Sequence, residues 1–308
     1  MLFLCLTVLL MGMLVPIQTA ANARLRGCVG SVWVATLLSF CVSTLALLVL
    51  SLAGGVPVLP TEAQLQAAPW WSWGGGIVAL LTITAAIYLF RTLGMLQATI
   101  LPILGQLGFS LVIDHFGLFR SVQIPLTLTR LLAMLVLVAG VALVVVVPHL
   151  KEWRSREPAD AFCTAARQLL GVGAGCLMAS IGAIYGTLGT ALGSPVQAST
   201  LSFIIASAVM LLCCACGGVL GSVRGAFSLR HPLWMWLGGI VGAVAVYGNA
   251  WLIPLMGAGY FFMLLLFGQM LLSLGMEWRG WLGSPRRKIS PLQGLGLLLM
   301  LIGIAVIK

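Results

Sequence analysis

Charge is scarce in this sequence. Of 308 residues only 16 are Lys or Arg and six are Asp or Glu, 7% in all, while apolar types make up 61%. A soluble domain carries roughly 25% charged residues. This chain therefore cannot cover a water-facing surface, which excludes a soluble enzyme, a nucleic-acid-binding module and a disordered protein. Groups that do chemistry are equally few. There are three His, and no buried His-Glu, Ser-Lys or paired-Asp arrangement, so an intramembrane enzyme is not expected. Most of the Cys residues sit in apolar runs away from His or acids. Cys213, Cys214 and Cys216 cluster inside a Leu/Ala/Gly stretch and read as small packing residues rather than a metal or disulfide site. Gly74-Gly75-Gly76 and Gly238-Gly239 are not phosphate loops, because no Lys-Ser/Thr follows them. Neither a metal nor a cofactor is implied. No basic segment precedes the apolar run over 2–17, so that run is taken as a retained first helix although Ala21-Asn22-Ala23 resembles a cleavage site.

What the chain has is long apolar runs. A span needs about 20 mostly apolar residues, and ten fit, roughly at 2–23, 29–54, 71–90, 94–114, 130–148, 167–188, 193–220, 232–251, 256–276 and 290–307. All are expected to be helices, since lipid offers the backbone no water to bond and no period-two barrel pattern is present. The fold class is thus an all-α integral membrane protein of ten transmembrane helices. The charged stretch at 151–166 is expected to be a cytoplasmic linker between a first unit, 1–150, and a second, 167–308.

The net charge of +10 encodes orientation. With the N-terminus outside, the inner loops hold Arg24, Arg26, Arg91, Lys151, Arg154, Arg156, Arg167, Arg224, Arg230, Arg279, Arg286, Arg287 and Lys288. The outer ones hold Arg120, Arg130 and Lys308. Both termini are therefore expected outside the cytoplasm.

The sequence also matches itself at one shift of 163 residues. Gly12 falls on Gly175, Gly30-Ser31 on Gly193-Ser194, Ser39-Phe40 on Ser202-Phe203, and Trp71 and Trp73 on Trp234 and Trp236. Gly75-Gly76-Ile77-Val78 falls on Gly238-Gly239-Ile240-Val241, Gly94 on Gly257, Gly105-Gln106 on Gly268-Gln269, Ser110 on Ser273, and Asp114 on Glu277. Five spans per repeat is an odd number, so the second repeat enters from the opposite side and the halves are inverted. Such repeats recur in secondary transporters, because two similar halves can exchange conformations and so alternate access. A duplication kept only for packing is the weaker alternative.

Gly12…Pro16-Ile17-Gln18…Asn22…Leu25…Gly30-Ser31…Ser39-Phe40 resembles the opening of the YdcZ-type branch of the drug/metabolite transporter superfamily. Trp71…Gly75-Gly76, then Gly105-Gln106…Ser110…Asp114-His115-Phe116-Gly117, resembles its later signature. That branch includes fused pairs of five-helix units, and this chain is similar to such a pair. The resemblance implies a bacterial inner-membrane transporter and no particular substrate. Repeat two departs from it, with Ile181 and Tyr185 in place of Gln18 and Asn22, so an asymmetric site is expected.

Gln106, Ser110 and Asp114 are spaced i, i+4, i+8, and so share one helix face within about 80°. Gln269, Ser273 and Glu277 repeat that face. The two Gln and the two Ser are candidates for a central substrate site, against the plainer reading of bonds between helices. Asp114, at the outer face, and Glu277, at the inner face, are candidate gate or proton-coupling groups, against solvated helix-end carboxylates or carboxylates paired with a nearby Arg. Gln18 and Asn22, one turn apart on the first helix, suit a polar or zwitterionic ligand, or else form an interfacial cap. Small multidrug resistance proteins, in the same superfamily, use a buried Glu of the first helix for cations. Here the first and sixth helices lack an acid, so a carboxylate cage for a cation is unsupported. Trp71, Trp73, Trp234 and Trp236 read as interfacial anchors. Helices five and ten read as packing or dimer helices, which leaves a homodimer open. The expected function is secondary transport, in the export direction, of a small polar or amphipathic solute by alternating access. The alternatives are a carrier or flippase of a lipid-linked molecule and a non-transporting membrane subunit. Expected partners are a small-molecule substrate and membrane lipid, with no nucleic acid.

Overall fold

The computed structural model describes residues 1–146, 161–227, 232–283, 286 and 289–306. Ten α-helices are formed among them: α1 (Leu2–Val29), α2 (Val32–Ala53), the short α3 (Glu62–Ala67), α4 (Gly75–Phe116), α5 (Leu128–Val146), α6 (Ala161–Leu192), α7 (Pro195–Cys216), α8 (Leu237–Met256), α9 (Ala258–Arg279) and α10 (Pro291–Val306). No strand is present among the described residues. Most of the expected linker, 151–160, lies outside them.

Eight helical segments are long and apolar enough to cross a membrane: Leu2–Val29, Val32–Ala53, Gln97–Phe116, Leu128–Val145, Ala165–Leu192, Pro195–Cys216, Leu233–Met256 and Ala258–Arg279. The apolar α10 is shorter. Exposed side chains on these helices are large and apolar, among them Leu45, Val49, Leu132, Leu135, Leu211, Leu212, Leu298 and Leu301. A patch of that extent suits lipid, not water.

One helix differs from expectation. The sequence separates spans at 71–90 and 94–114, whereas the 42 residues of α4, Gly75–Phe116, are helical with no loop between two parts. A straight helix of that length would reach about 63 Å, twice a bilayer's hydrocarbon core. Yet Trp71, just before α4, and Phe119, just after it, stack edge to face with ring centroids 5.6 Å apart. The chain therefore turns back within α4. Gly75 lies against Tyr185 of α6, Leu89 and Leu93 cluster with Ala174, and then Leu101 meets Gly171 and Gln106 meets Gly175. The first part of α4 descends along α6 and the second climbs back beside it. In the second half of the chain the corresponding break is open, at Gly257, whose φ of 83° between α8 and α9 favours glycine.

Local structure repeats at the 163-residue shift. Ser31 and Ser194 both cap the next helix, accepting from the backbone N–H of Val34 and Gln197. Gly117 and Gly280 both end a helix in the left-handed conformation, and Phe119 and Leu282 share positive φ values of 57° and 52°. Contacts repeat as well. A β-carbon at Gly12 would strike Leu265 of α9 and one at Gly268 would strike Leu9 of α1; their equivalents Gly175 and Gly105 meet Pro102 and Val172. Small residues of this kind let membrane helices approach backbone to backbone.

Other contacts join a residue to its own equivalent. Phe40 of α2 stacks edge to face on Phe203 of α7 with centroids 5.5 Å apart, and Thr44 Oγ1 lies 3.0 Å from Ser207 Oγ. Gly140 of α5 packs on Gly296 and Met300 of α10, while Gly303 packs on Ala133 and Leu137. Helices α5 and α10, read from sequence as packing or dimer helices, thus pack on each other. Self-paired contacts of this kind are what a two-fold relation between halves requires.

The close approaches lead to a prediction. Gly105→Val and Gly268→Val should each destabilise the protein by roughly 1–3 kcal/mol through overpacking, while Gly27→Ala, with nothing within 4 Å of the added carbon, should not. Thermal unfolding in detergent checks this, and equal midpoints for all three would contradict it.

Candidate functional site

Pairing of α1 with α9 fixes the two ends of the molecule. Cys5 Sγ lies 3.5 Å from Tyr260 Oη, and Gly12 meets Leu265 further along both helices. The two therefore run parallel. The C-terminal part of α1 and the N-terminus of α9 lie at opposite ends.

At the α1 C-terminal end is a cavity of about 360 Å³, lined by Gln18, Asn22, Arg26, Thr36, Ser39, Phe40, Ser43, Phe203 and Gly242 among others. Its size suits a small solute. Gln18, Asn22 and Arg26 recur every four residues along α1 and so share one face. Ser39 and Ser43 present the next face of α2. The glycines opening α8 make room: a β-carbon at Gly238 would strike Asn22 Oδ1, and one at Gly242 would lie 3.1 Å from Gln18 Nε2 and from Ser43 Oγ. Ser43 Oγ donates to the Gly239 carbonyl at 2.6 Å, tying α2 to α8. Asn22 Oδ1 is buried without a partner among the described residues, a costly state for a carbonyl oxygen. Arg26 is the charged lining residue among the described residues, and no carboxylate among them lines the cavity.

The stacked Phe40 and Phe203 line the cavity too. Several equivalent positions in the second half are buried. Tyr185 takes the place of Asn22, is 5% exposed, and lays its ring on Gly75 as Asn22 lies on Gly238. Ser199 and Ser202, equivalent to Thr36 and Ser39, are buried. A smaller pocket of about 140 Å³, lined by Arg120, Ser121, Thr187 and Pro254 among others, indents that end.

Of the sequence candidates, the structure brings Gln18 and Asn22 to the cavity. Gln106, Ser110, Gln269 and Ser273 are not among its lining residues. Ser110 is buried and donates to the Leu107 carbonyl of its own helix at 2.7 Å. Gln106 and Gln269 are half-buried beside the close-packed Gly105 and Gly268.

Asp114, fully buried near the end of α4, accepts three hydrogen bonds. Its Oδ2 accepts from Arg130 Nη2 of α5 at 3.0 Å and from the Gly259 backbone N–H at 3.0 Å, while Oδ1 accepts from the Ala258 N–H at 2.8 Å. Arg130 Nη1 also donates to the Ile124 carbonyl at 3.2 Å. The carboxylate thus satisfies two of the unpaired N–H groups at the start of α9, favoured by that helix's dipole, and ties α4, α5 and α9 together. Pairing with a nearby Arg is the plainer reading left open by the sequence. Glu277, its equivalent, is half-buried and has no hydrogen-bond or ion-pair partner among the described residues.

Sequence reasoning missed Arg130, Ser39, Ser43 and the two Phe as site elements. Arg130 counted only toward orientation. The available signal was its position, an Arg heading an apolar helix shortly after an acid in the same half.

The family model described as "Putative inner membrane exporter, YdcZ" matches residues 3–143 and again 167–306. A solved protein crystal structure superposes with a TM-score of 0.66 at 16% identity, over 99% of this chain and 96% of its own; at that identity the likeness concerns the fold. Comparison with curated protein sequences finds no match.

The unequal surroundings of the two acids have a measurable consequence. Asp114→Ala leaves Arg130 buried without its partner and should cost about 3–5 kcal/mol. Glu277→Ala should stay within about 0.5 kcal/mol. Thermal melts of both variants in detergent decide, and equal shifts would rule out the clamp as a stabilising element.

Proposed function

This chain belongs to the YdcZ family of inner-membrane exporters, and on that premise we propose that it is a secondary transporter of a small polar or amphipathic solute. It works by alternating access between two inverted five-helix halves. The halves comprise ten spans: the segments long and apolar enough to cross, α10, and the first part of α4. Supporting the inversion are the contacts that repeat at the 163-residue shift and the self-paired ones at Phe40–Phe203, Thr44–Ser207 and α5–α10. Both termini lie outside, which places most of the basic residues in the cytoplasm and opens the Gln18–Asn22 cavity inward.

The observation that carries this reading is the cavity itself. It sets polar side chains in a mostly apolar lining, is sized for a small solute and includes a pair of stacked rings, while Tyr185 and Ser199, equivalent to its Asn22 and Thr36, are buried. An alternating-access carrier caught with one side open has this form. The Gln18 and Asn22 amides both donate and accept, and the Ser and Thr hydroxyls beside them do likewise. With Arg26 at the rim and no acid in the lining among the described residues, the site favours neutral, zwitterionic or anionic solutes over cations.

Reconstitution on a solid-supported membrane tests this, with currents recorded for a panel of small metabolites and organic ions with and without a pH gradient. Gln18→Ala and Asn22→Ala should abolish the response of the active solute. Gln106→Ala and Gln269→Ala, off the cavity, should weaken it less. The reverse order would move the substrate site to the Gln pair. Binding of lipid-linked molecules without solute flux would favour the flippase alternative.

A further inference from the structure

Resting on the alternating-access reading, we propose that Asp114, Arg130 and the first turn of α9 form the latch that holds the outer side shut. Glu277 makes the corresponding latch on the inner side in the opposite state. The open cavity and the closed clamp lie at opposite ends of the molecule, and the equivalent acids Asp114 and Glu277 belong one to each end. At the outer end the acid is engaged: Asp114 holds the Ala258 and Gly259 N–H groups and Arg130, each at 2.8–3.0 Å. At the inner end, where the cavity opens, Glu277 has no partner among the described residues.

Symmetry names what Glu277 would grip. Subtracting 163 from Ala258 and Gly259 gives Met95 and Leu96, which follow Gly94 as the first pair follow Gly257. At Gly257 the helix is broken, so the N–H groups that follow are free to bond a carboxylate. The two halves thus show the two positions of one device, one with its acid docked and the other with its acid released. In the exchange Glu277 docks at the start of the span that follows Gly94, and Asp114 leaves α9.

The latches are unequal. Arg130 has Gln293 as its equivalent, and Gln293 is engaged elsewhere: its Oε1 accepts from the Ser290 N–H at 2.9 Å, and its Nε2 donates to the Val144 carbonyl at 3.4 Å. The outer latch therefore contains a charge-assisted bond that the inner one lacks. Without solute the protein rests with its outer side shut, the state seen here.

Site-directed labelling tests the proposal in the full chain, with native cysteines replaced and single cysteines introduced at Thr36, which lines the inner cavity, or at its outer equivalent Ser199. A membrane-impermeant maleimide is applied to vesicles of each orientation. In the parent, Thr36→Cys should react from the inner side and Ser199→Cys should be protected. Asp114→Asn should reverse this, raising Ser199→Cys labelling from outside and lowering Thr36→Cys labelling, each by roughly tenfold or more. Arg130→Gln should act in the same direction and serves if Asp114→Asn does not insert. Protection of Ser199→Cys in both variants would overturn the latch. So would both positions becoming reactive together, which is simple loosening. A reversal of labelling without any solute flux would support the latch while removing the transport reading. Flux in the parent without reversal in the variants would do the opposite.

Discussion

The contact of α2 with α7, where Phe40 stacks on Phe203 and Thr44 meets Ser207, is the one the rest depends on. A surface that packs on a copy of itself must be complementary to its own shape, so each residue in it serves twice. The pairing of α5 with α10 obeys the same rule. Between these pairs lie the mixed contacts, α1 on α9 and α6 on the second part of α4, in which glycines admit the backbone of the opposite half. No half can bury its apolar face alone, and what holds the halves together is fit, since lipid offers helices no hydrophobic drive to associate.

Within so constrained a frame, function falls to positions where the copies differ. Asn22 against Tyr185 separates a position that lines a cavity from one filled by a buried ring. Ser43 against Ala206 ties α8 to α2 on one side only. Arg130 against Gln293 gives one acid a cation and leaves the other without. The first replacement keeps the close packing of its neighbours, because Gly75 and Gly238 leave room for whichever side chain faces them. On the proposed alternating-access reading, symmetry supplies the two conformations, and the departures from it set which is preferred and where a solute fits.

The labelling comparison sets these departures against the symmetry, and the sequence shows unevenly which residues it concerns. The repeat was legible because rare residues, Trp, Gln and acids, align without a gap. Gln18 and Asn22 were legible because amides are conspicuous in an apolar helix. The Gln106 and Gln269 faces were equally conspicuous, yet they pack beside glycines away from the cavity. Periodicity fixes which side chains share a face, not which neighbour that face meets. The partners of Asp114 were not legible, because they stand 16 residues on and in the other half of the chain. Helix α4 read as two spans, and the meeting of Trp71 with Phe119 requires a reversal between them.

The start of α9 shows what the proposed latch must supply. In a setting without water, an N–H that a helix start leaves unpaired must find another acceptor. The break at Gly257 leaves the Ala258 and Gly259 N–H groups without helical carbonyls, and Asp114 accepts from both while Arg130 neutralises it. On the proposed reading, helix geometry and access are coupled at this point: when Asp114 leaves, two buried N–H groups lose their acceptor, so the outer side opens only where something else takes its place.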